Sequence, residues 1–242
     1  MSVSRPVVSA ITHLVVIRHG ETAWNLDRRL QGHLDVPLNA HGRAQAEALG
    51  RALSSEPLDA IYSSDLSRAM QTAQALATGR VLQVQAEPRL RERHFGIFQG
   101  LTPAEVEARH PEAFAAWKAR MVDWAPAGGE SLAELHMRIL DITLTLARRH
   151  PSGRIALVAH GGVLDCLYRA ASGMALDAPR QHELRNASIN RLSSDGEQLT
   201  LVQWGDVTHL DVQVLDEVDR KQEAPDGDGR ETRIRRGSAG QR

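Results

Sequence analysis

The chain has almost no cysteine: of its 242 residues, only Cys166 is one. That excludes an internal disulfide framework and any zinc cage built on several cysteines. Long apolar runs are also missing. None approaches the roughly 18 residues that a transmembrane helix needs, so no membrane partner is expected. Neither sign of charge is in excess. Twenty-nine Lys and Arg face 30 Asp and Glu, a net of −1, so there is no basic field of the kind that holds nucleic acid. No secretory leader is read at the N-terminus, because Pro6, Ser9, Thr12 and His13 interrupt the apolar stretch before Arg18; the expected location is the cytoplasm. A Gly-rich nucleotide loop ending in Gly-Lys-Ser/Thr is absent. His182-Glu183 fails as the start of a zinc helix, because Asn186 stands where that helix needs its second histidine.

What is present reads as one folded body with two loose ends. The length suffices to bury a core without covalent staples. Residues 217–242 carry six acidic and seven basic residues, with Val218 and Ile234 as their only large apolar side chains. Such a segment cannot bury enough surface to offset its ordering entropy, and it is expected to be disordered. Residues 1–11 are expected to form a flexible arm, leaving 12–216 as the domain.

Inside that body strands and helices alternate. Leu14–Ile17, Asp59–Tyr62, Val81–Val84 and Ile155–Ala159 are short apolar runs suited to strands buried on both faces. Asn39 opens a helix that runs to about Ser54. Asp65–Ala77 places Leu66, Ala69, Met70, Ala73, Leu76 and Ala77 on one helical face, and Gly79 marks its stop. Thr102-Pro-Ala-Glu105 and Ser131-Leu-Ala-Glu134 are capping boxes. The second opens a long helix carrying Leu135, Ile139, Ile142 and Leu146. Val163–Ala171 predicts a further helix. Ile189–Leu192 and Leu199–Trp204 predict late strands around an Asp195-Gly196 turn. This order is the pattern of an α/β fold with a mostly parallel sheet between helical layers.

The chemistry lies where the strands end. Leu14–Ile17 runs into Arg18-His19-Gly20, and Ile155–Ala159 runs into His160-Gly161-Gly162. Asp59–Tyr62 runs into Ser63-Ser64-Asp65, with Arg68 just beyond. Open α/β sheets bind ligands outside the carboxyl ends of their strands. Two imidazoles, two guanidiniums, glycine amides and helix N-termini would therefore share one crevice, a set complementary to a phosphate dianion. One histidine after a strand is usually a polar loop residue, and Arg68 alone would read as an exposed helix arginine. Their coincidence at three strand ends is what points to a site. Trp24 and Trp117 read as packing groups.

These residues resemble the histidine phosphatase superfamily, which includes the cofactor-dependent phosphoglycerate mutases. The resemblance is carried by Leu14-Val-Val-Ile-Arg-His-Gly-Glu-Thr-Ala-Trp-Asn25, Arg29-Leu-Gln31-Gly32, Ser63-Ser-Asp-Leu-Ser-Arg68, Leu90-Arg-Glu92, Gly129-Glu130-Ser131 and Val158-Ala-His160-Gly161. It spans about 12–210 and implies a phosphoglycerate mutase-like, three-layer α/β/α sandwich. It implies that His19 is a nucleophile that becomes phosphorylated, that Arg18, Arg68 and His160 surround the phosphoryl group, and that Glu92 donates and then accepts a proton. Asn25, Gln31, Gly32 and Gly161 would bind the substrate. Glu130 is expected to be a structural carboxylate near the rim. Arg91 and Arg93 are expected to point away from Glu92, since inward guanidiniums would oppose an acid role.

Two departures bear on activity. Gln99-Gly100 stands where the family often has Glu-Gly. The stretch 101–129 is short, with Arg109, His110, Lys118 and Arg120 as its few basic groups, whereas the mutases carry a longer, more basic cover. Water can then enter, which favours hydrolysis over transfer. The expected activity is metal-independent hydrolysis of a small phosphomonoester. A phosphoglycerate mutase, using 2,3-bisphosphoglycerate, and a catalytically silent phospho-ligand binder are the alternatives. No other cofactor and no metal are expected; the helices of 101–129 could shield the pocket or form a homodimer.

Overall fold

The computed structural model describes residues 10–210 and 215–216. The arm read at 1–11, apart from Ala10 and Ile11, and the tail read at 217–242 lie outside the described residues. The strands are β1 (Thr12–Arg18), β2 (Ala60–Ser63), β3 (Val84–Ala86), β4 (Arg154–Ala159), β5 (Ile189–Ser194) and β6 (Leu199–Asp206). The helices are α1 (Ala23–Leu26), α2 (Ala40–Ala52), α3 (Ser67–Ala77), α4 (Pro103–Arg109), α5 (Pro111–Lys118), α6 (Leu132–Arg149) and α7 (Gly161–Ser172). One six-stranded sheet runs in the order β3-β2-β4-β1-β5-β6. The first four of these are mutually parallel; β5 lies antiparallel to both β1 and β6.

Alternation along the strands builds the layers. Leu14 and Val16 of β1, with Ile155, Leu157 and Ala159 of β4, pack on Leu135, Ile139, Ile142 and Leu146 of α6 and Val163, Leu164 and Leu167 of α7. Val15 and Ile17, with Ala156 and Val158, face the other way, onto Leu49 of α2 and Ala69, Ala73 and Leu76 of α3. Period-two side chains thus supply both faces of a sheet clad by helices, the α/β/α sandwich expected from the alternation. Both capping boxes form, at Thr102 and at Ser131.

The third strand is displaced from its expected position. Val81 is fully exposed, and pairing begins at Val84, with Ile61 opposite Val84 and Ser63 opposite Ala86. Gly79 does stop α3 with φ at 77°. The chain then needs several residues to swing back to the sheet edge, and the apolar run is spent on that return. Helix α7 starts two residues earlier than expected, at Gly161, which leaves His160 at its N-cap. Leu30, Phe98 and Val106 form a separate small core under α4 and α5, with Phe95, Phe114, Trp117 and Trp124 packed around it. No helix among the described residues is long and apolar enough to cross a membrane.

Candidate active site

The sheet register assembles the site. Arg18 pairs with Ala159 across the parallel β1–β4 ladder, so the next residue of each strand, His19 and His160, emerges at the same level. The His19 N–H donates to the Ala159 carbonyl at 3.0 Å. The two rings meet edge to face, with centroids 5.2 Å apart. On the far side of β4, strand β2 delivers the chain to α3, which carries Arg68 in its first turn.

A polar cavity of about 20 Å³ opens there, lined by Arg18, His19, Asn25, Arg29, Gln31, Gly32, Arg68 and Glu92, with Leu30 and Phe95 at one side. Seven of the nine residues expected at the site therefore share one cavity. The other two lie beside it: His160 is fully buried behind His19, and Gly161 lines an adjoining cavity that also contains Glu92.

Each group is held in place. His19 Nδ1 lies 2.7 Å from the Gly20 carbonyl oxygen. A carbonyl only accepts, so Nδ1 carries the proton and the neutral ring leaves its lone pair on Nε2. Burial, then the charges of Arg68 and Arg18, hold the His19 pKa well below the ordinary histidine value. His160 is lowered in the same way, first by burial and then by Arg68. Neither of its ring nitrogens has a hydrogen-bond partner among the described residues. A buried donor without a partner is costly, and an anion oxygen in this crevice would relieve it.

The guanidiniums are steered by main-chain oxygens. Arg68 donates to the carbonyls of Gly32 at 2.8 Å and Leu34 at 3.0 Å; Arg18 donates to the carbonyl of Leu184. The Glu92 carboxylate accepts from the Arg93 N–H at 2.7 Å and from the Gly162 N–H, in the first turn of α7, at 3.0 Å. Arg91 and Arg93 bond elsewhere, as expected. Arg91 forks onto Asp65 at 2.7 and 2.5 Å, while Arg93 donates to the carbonyls of Glu130 at 2.7 Å and Trp124 at 3.4 Å. Glu130 forms a two-point ion pair with Arg138 at 2.8 and 2.7 Å. Arg138 in turn holds the carbonyls of Arg89, Arg91 and Glu92. Glu130 thus supports the loop that carries Glu92.

The model of the histidine phosphatase superfamily (branch 1) matches residues 14–207. The chain belongs to that superfamily. Phosphoglycerate mutase-like protein 4 of Arabidopsis thaliana is 43% identical over 204 residues, covering 82% of this chain and 86% of the relative. A metal-independent phosphoserine phosphatase of the same plant is 38% identical over 207 residues, covering 84% of this chain and 85% of the relative. A mycobacterial glucosyl-3-phosphoglycerate phosphatase, solved with VO3, superposes with a TM-score of 0.69 at 37% identity, covering 80% of this chain and 98% of that one.

In this histidine phosphatase superfamily member some site residues escaped the sequence reading. Asn186, noted only for breaking a zinc pattern, is fully buried and donates to the His19 carbonyl at 3.0 Å. Thr72 accepts from the Gly20 N–H at 3.1 Å. Arg29 lines the polar cavity and is tied to Glu105 at 2.9 Å. Trp117 does pack, against Phe98 and Phe114, but it also lines the adjoining cavity. Among the described residues no three His, Cys, Asp or Glu side chains converge as a metal site.

Proposed function

We propose that this chain is a metal-independent phosphomonoester hydrolase acting on a small phosphorylated metabolite through a phosphohistidine at His19. One observation carries the reading: His19 keeps its proton on Nδ1, leaving a bare Nε2 in a single cavity lined by three guanidiniums and one carboxyl group.

The steps follow from those positions. His19 Nε2 attacks phosphorus as the ester P–O bond breaks, and the departing alkoxide takes its proton from Glu92. Arg18 and Arg68 stabilise the charge on the equatorial oxygens, where fixed charges in a dry site act strongly. His160 donates to one of those oxygens. Burial and the arginine charges favour its neutral ring, and a bound dianion would offset those charges. Glu92, now a carboxylate, removes a proton from water. The water attacks the phosphohistidine, the P–N bond breaks, inorganic phosphate leaves, and Nε2 is free again.

Turnover of an aryl phosphate in EDTA tests the reading. Activity is expected in the wild type and none in a folded His19→Ala; equal activity in both sinks it. The mutase-like relative at 43% identity supports a second reading, phosphoglycerate mutase. Against it stands the short cover, whose Arg120 is already ion-paired to Asp165 at 2.8 Å. A coupled mutase assay separates the two, since a mutase gains sharply from added 2,3-bisphosphoglycerate and a hydrolase does not.

A further inference from the structure

The polar cavity adjoins a larger one of about 60 Å³, and the two share Leu30, Glu92 and Phe95. An ester bound with its phosphoryl group at His19 and its bridging oxygen at Glu92 therefore places its alcohol portion in the larger cavity. Leu30, Phe95, Trp117, Leu132, Leu135 and Leu184 are the apolar half of its lining residues. Sugars, glycerates and serine present hydroxyls, carboxylates or amines that these side chains cannot satisfy, and burying such groups without partners is unfavourable.

The polar groups in the wall are already engaged with the protein. Arg120 donates to Asp165 at 2.8 Å and to the Leu176 carbonyl at 3.0 Å. Asp165 is further held by Arg169 at 2.9 Å and His182 at 3.0 Å. Arg93 bonds the carbonyls of Glu130 and Trp124, and its guanidinium lies 5.8 Å from the centre of the Phe95 ring. These hydrogen bonds run back into the protein and hold the groups in the wall.

We infer that the substrate is a phosphomonoester of an apolar alcohol, its hydrocarbon group seated between Phe95, Trp117 and Leu132. This deepens the hydrolase reading and rests on it. Steady-state kinetics on benzyl phosphate, glycerol 3-phosphate, phosphoserine and glucose 6-phosphate test it. Benzyl phosphate is chosen because its leaving group is an alkoxide, so phenoxide reactivity does not favour it. Its kcat/KM is expected to exceed each of the others by about tenfold or more. Leu132→Gln, at the half-buried first position of α6, is expected to narrow the benzyl-to-glycerol ratio at least fivefold. A second variant, Trp117→Gln, is expected to do the same. Preference for phosphoserine, glycerol 3-phosphate or glucose 6-phosphate overturns the substrate class and leaves the hydrolase standing, as does a ratio unmoved in both variants. Hydrolysis of none of the four, with no phosphate on His19, removes the hydrolase reading and this inference together.

Discussion

Replacing Gly162 with alanine drives a methyl group into the Glu92 carboxylate. A β-carbon built at Gly162 falls well inside contact distance of Glu92 Oε1, whereas ordinary contact begins at about 3.4 Å, so the carboxylate has to retreat by roughly 1 Å. The second and third neighbours, Glu92 Cδ at 3.3 Å and Leu135 Cδ2 at 3.5 Å, are close to ordinary contact. The helix itself gains: alanine is favoured over glycine in a helix by about 1 kcal/mol. Thermal stability is therefore expected to change little while the proposed acid is misplaced. A displacement of about 1 Å at a reacting group can cost on the order of 10²-fold in rate. In kcat/KM, which reports the first half-reaction, the loss should depend on how much the leaving group needs a proton. For an alkyl phosphate the expected fall is about 100-fold. For nitrophenyl phosphate, whose leaving group departs unaided, it is under about tenfold. A burst of nitrophenol should precede slow turnover, because the same carboxylate activates the water that clears the phosphohistidine. Equal losses on both esters would refute the acid role, and so would unchanged kinetics in a folded protein.

Three further outcomes are expected. Burial, then the arginine charges, hold His19 and His160 neutral in the folded chain, whereas each protonates in the unfolded chain near pH 6.5. The unfolded state then binds more protons below that pH, so unfolding free energy should fall as pH drops from about 6.5, by up to about 1.4 kcal/mol per pH unit for each histidine; urea titrations across pH 5 to 7.5 that show no decline would contradict this. Asp165→Asn removes the carboxylate shared by Arg120, Arg169 and His182, and losing one partner of such a buried cluster should cost about 3–5 kcal/mol in a denaturant melt. A loss below about 1 kcal/mol would mean the cluster is dispensable. Arg138→Gln releases Glu130 and three carbonyls of the Glu92 loop, so kcat for an alkyl phosphate should fall about tenfold with KM little changed, and Arg138→Lys should recover part of it. An effect confined to KM would count against a positioning role.

The fold was legible because both of its periodicities are local. Period-two apolar strands and 3.6-period helices are written in consecutive residues, and His19 and His160 needed only strand ends to be recognised. The register that brings them together is non-local, yet any parallel pairing that ends both strands together would produce it. Val81–Val84 misled because an apolar run does not say where its partner strand begins; Ile61 decides that, and it chose Val84. Asn186 and Arg138 were invisible for the same reason. Asn186 reaches the His19 carbonyl across 167 residues of sequence, and Arg138 reaches the Glu92 loop from the middle of a helix whose other face fills the core. No local pattern marks a side chain that bonds a distant carbonyl. The apolar cavity likewise draws Leu30, Phe95, Trp117 and Leu184 from four separate segments, so its character emerges only when they are packed together.

The most direct measurement is mass spectrometry of the acid-labile phosphoenzyme, quenched at alkaline pH during turnover of an aryl phosphate. A single phosphate on the peptide containing His19, absent in His19→Ala and persisting longer in Glu92→Gln than in wild type, is the expected result. Turnover without any phosphate on His19, or phosphate on His160 instead, would contradict the assignment of the nucleophile.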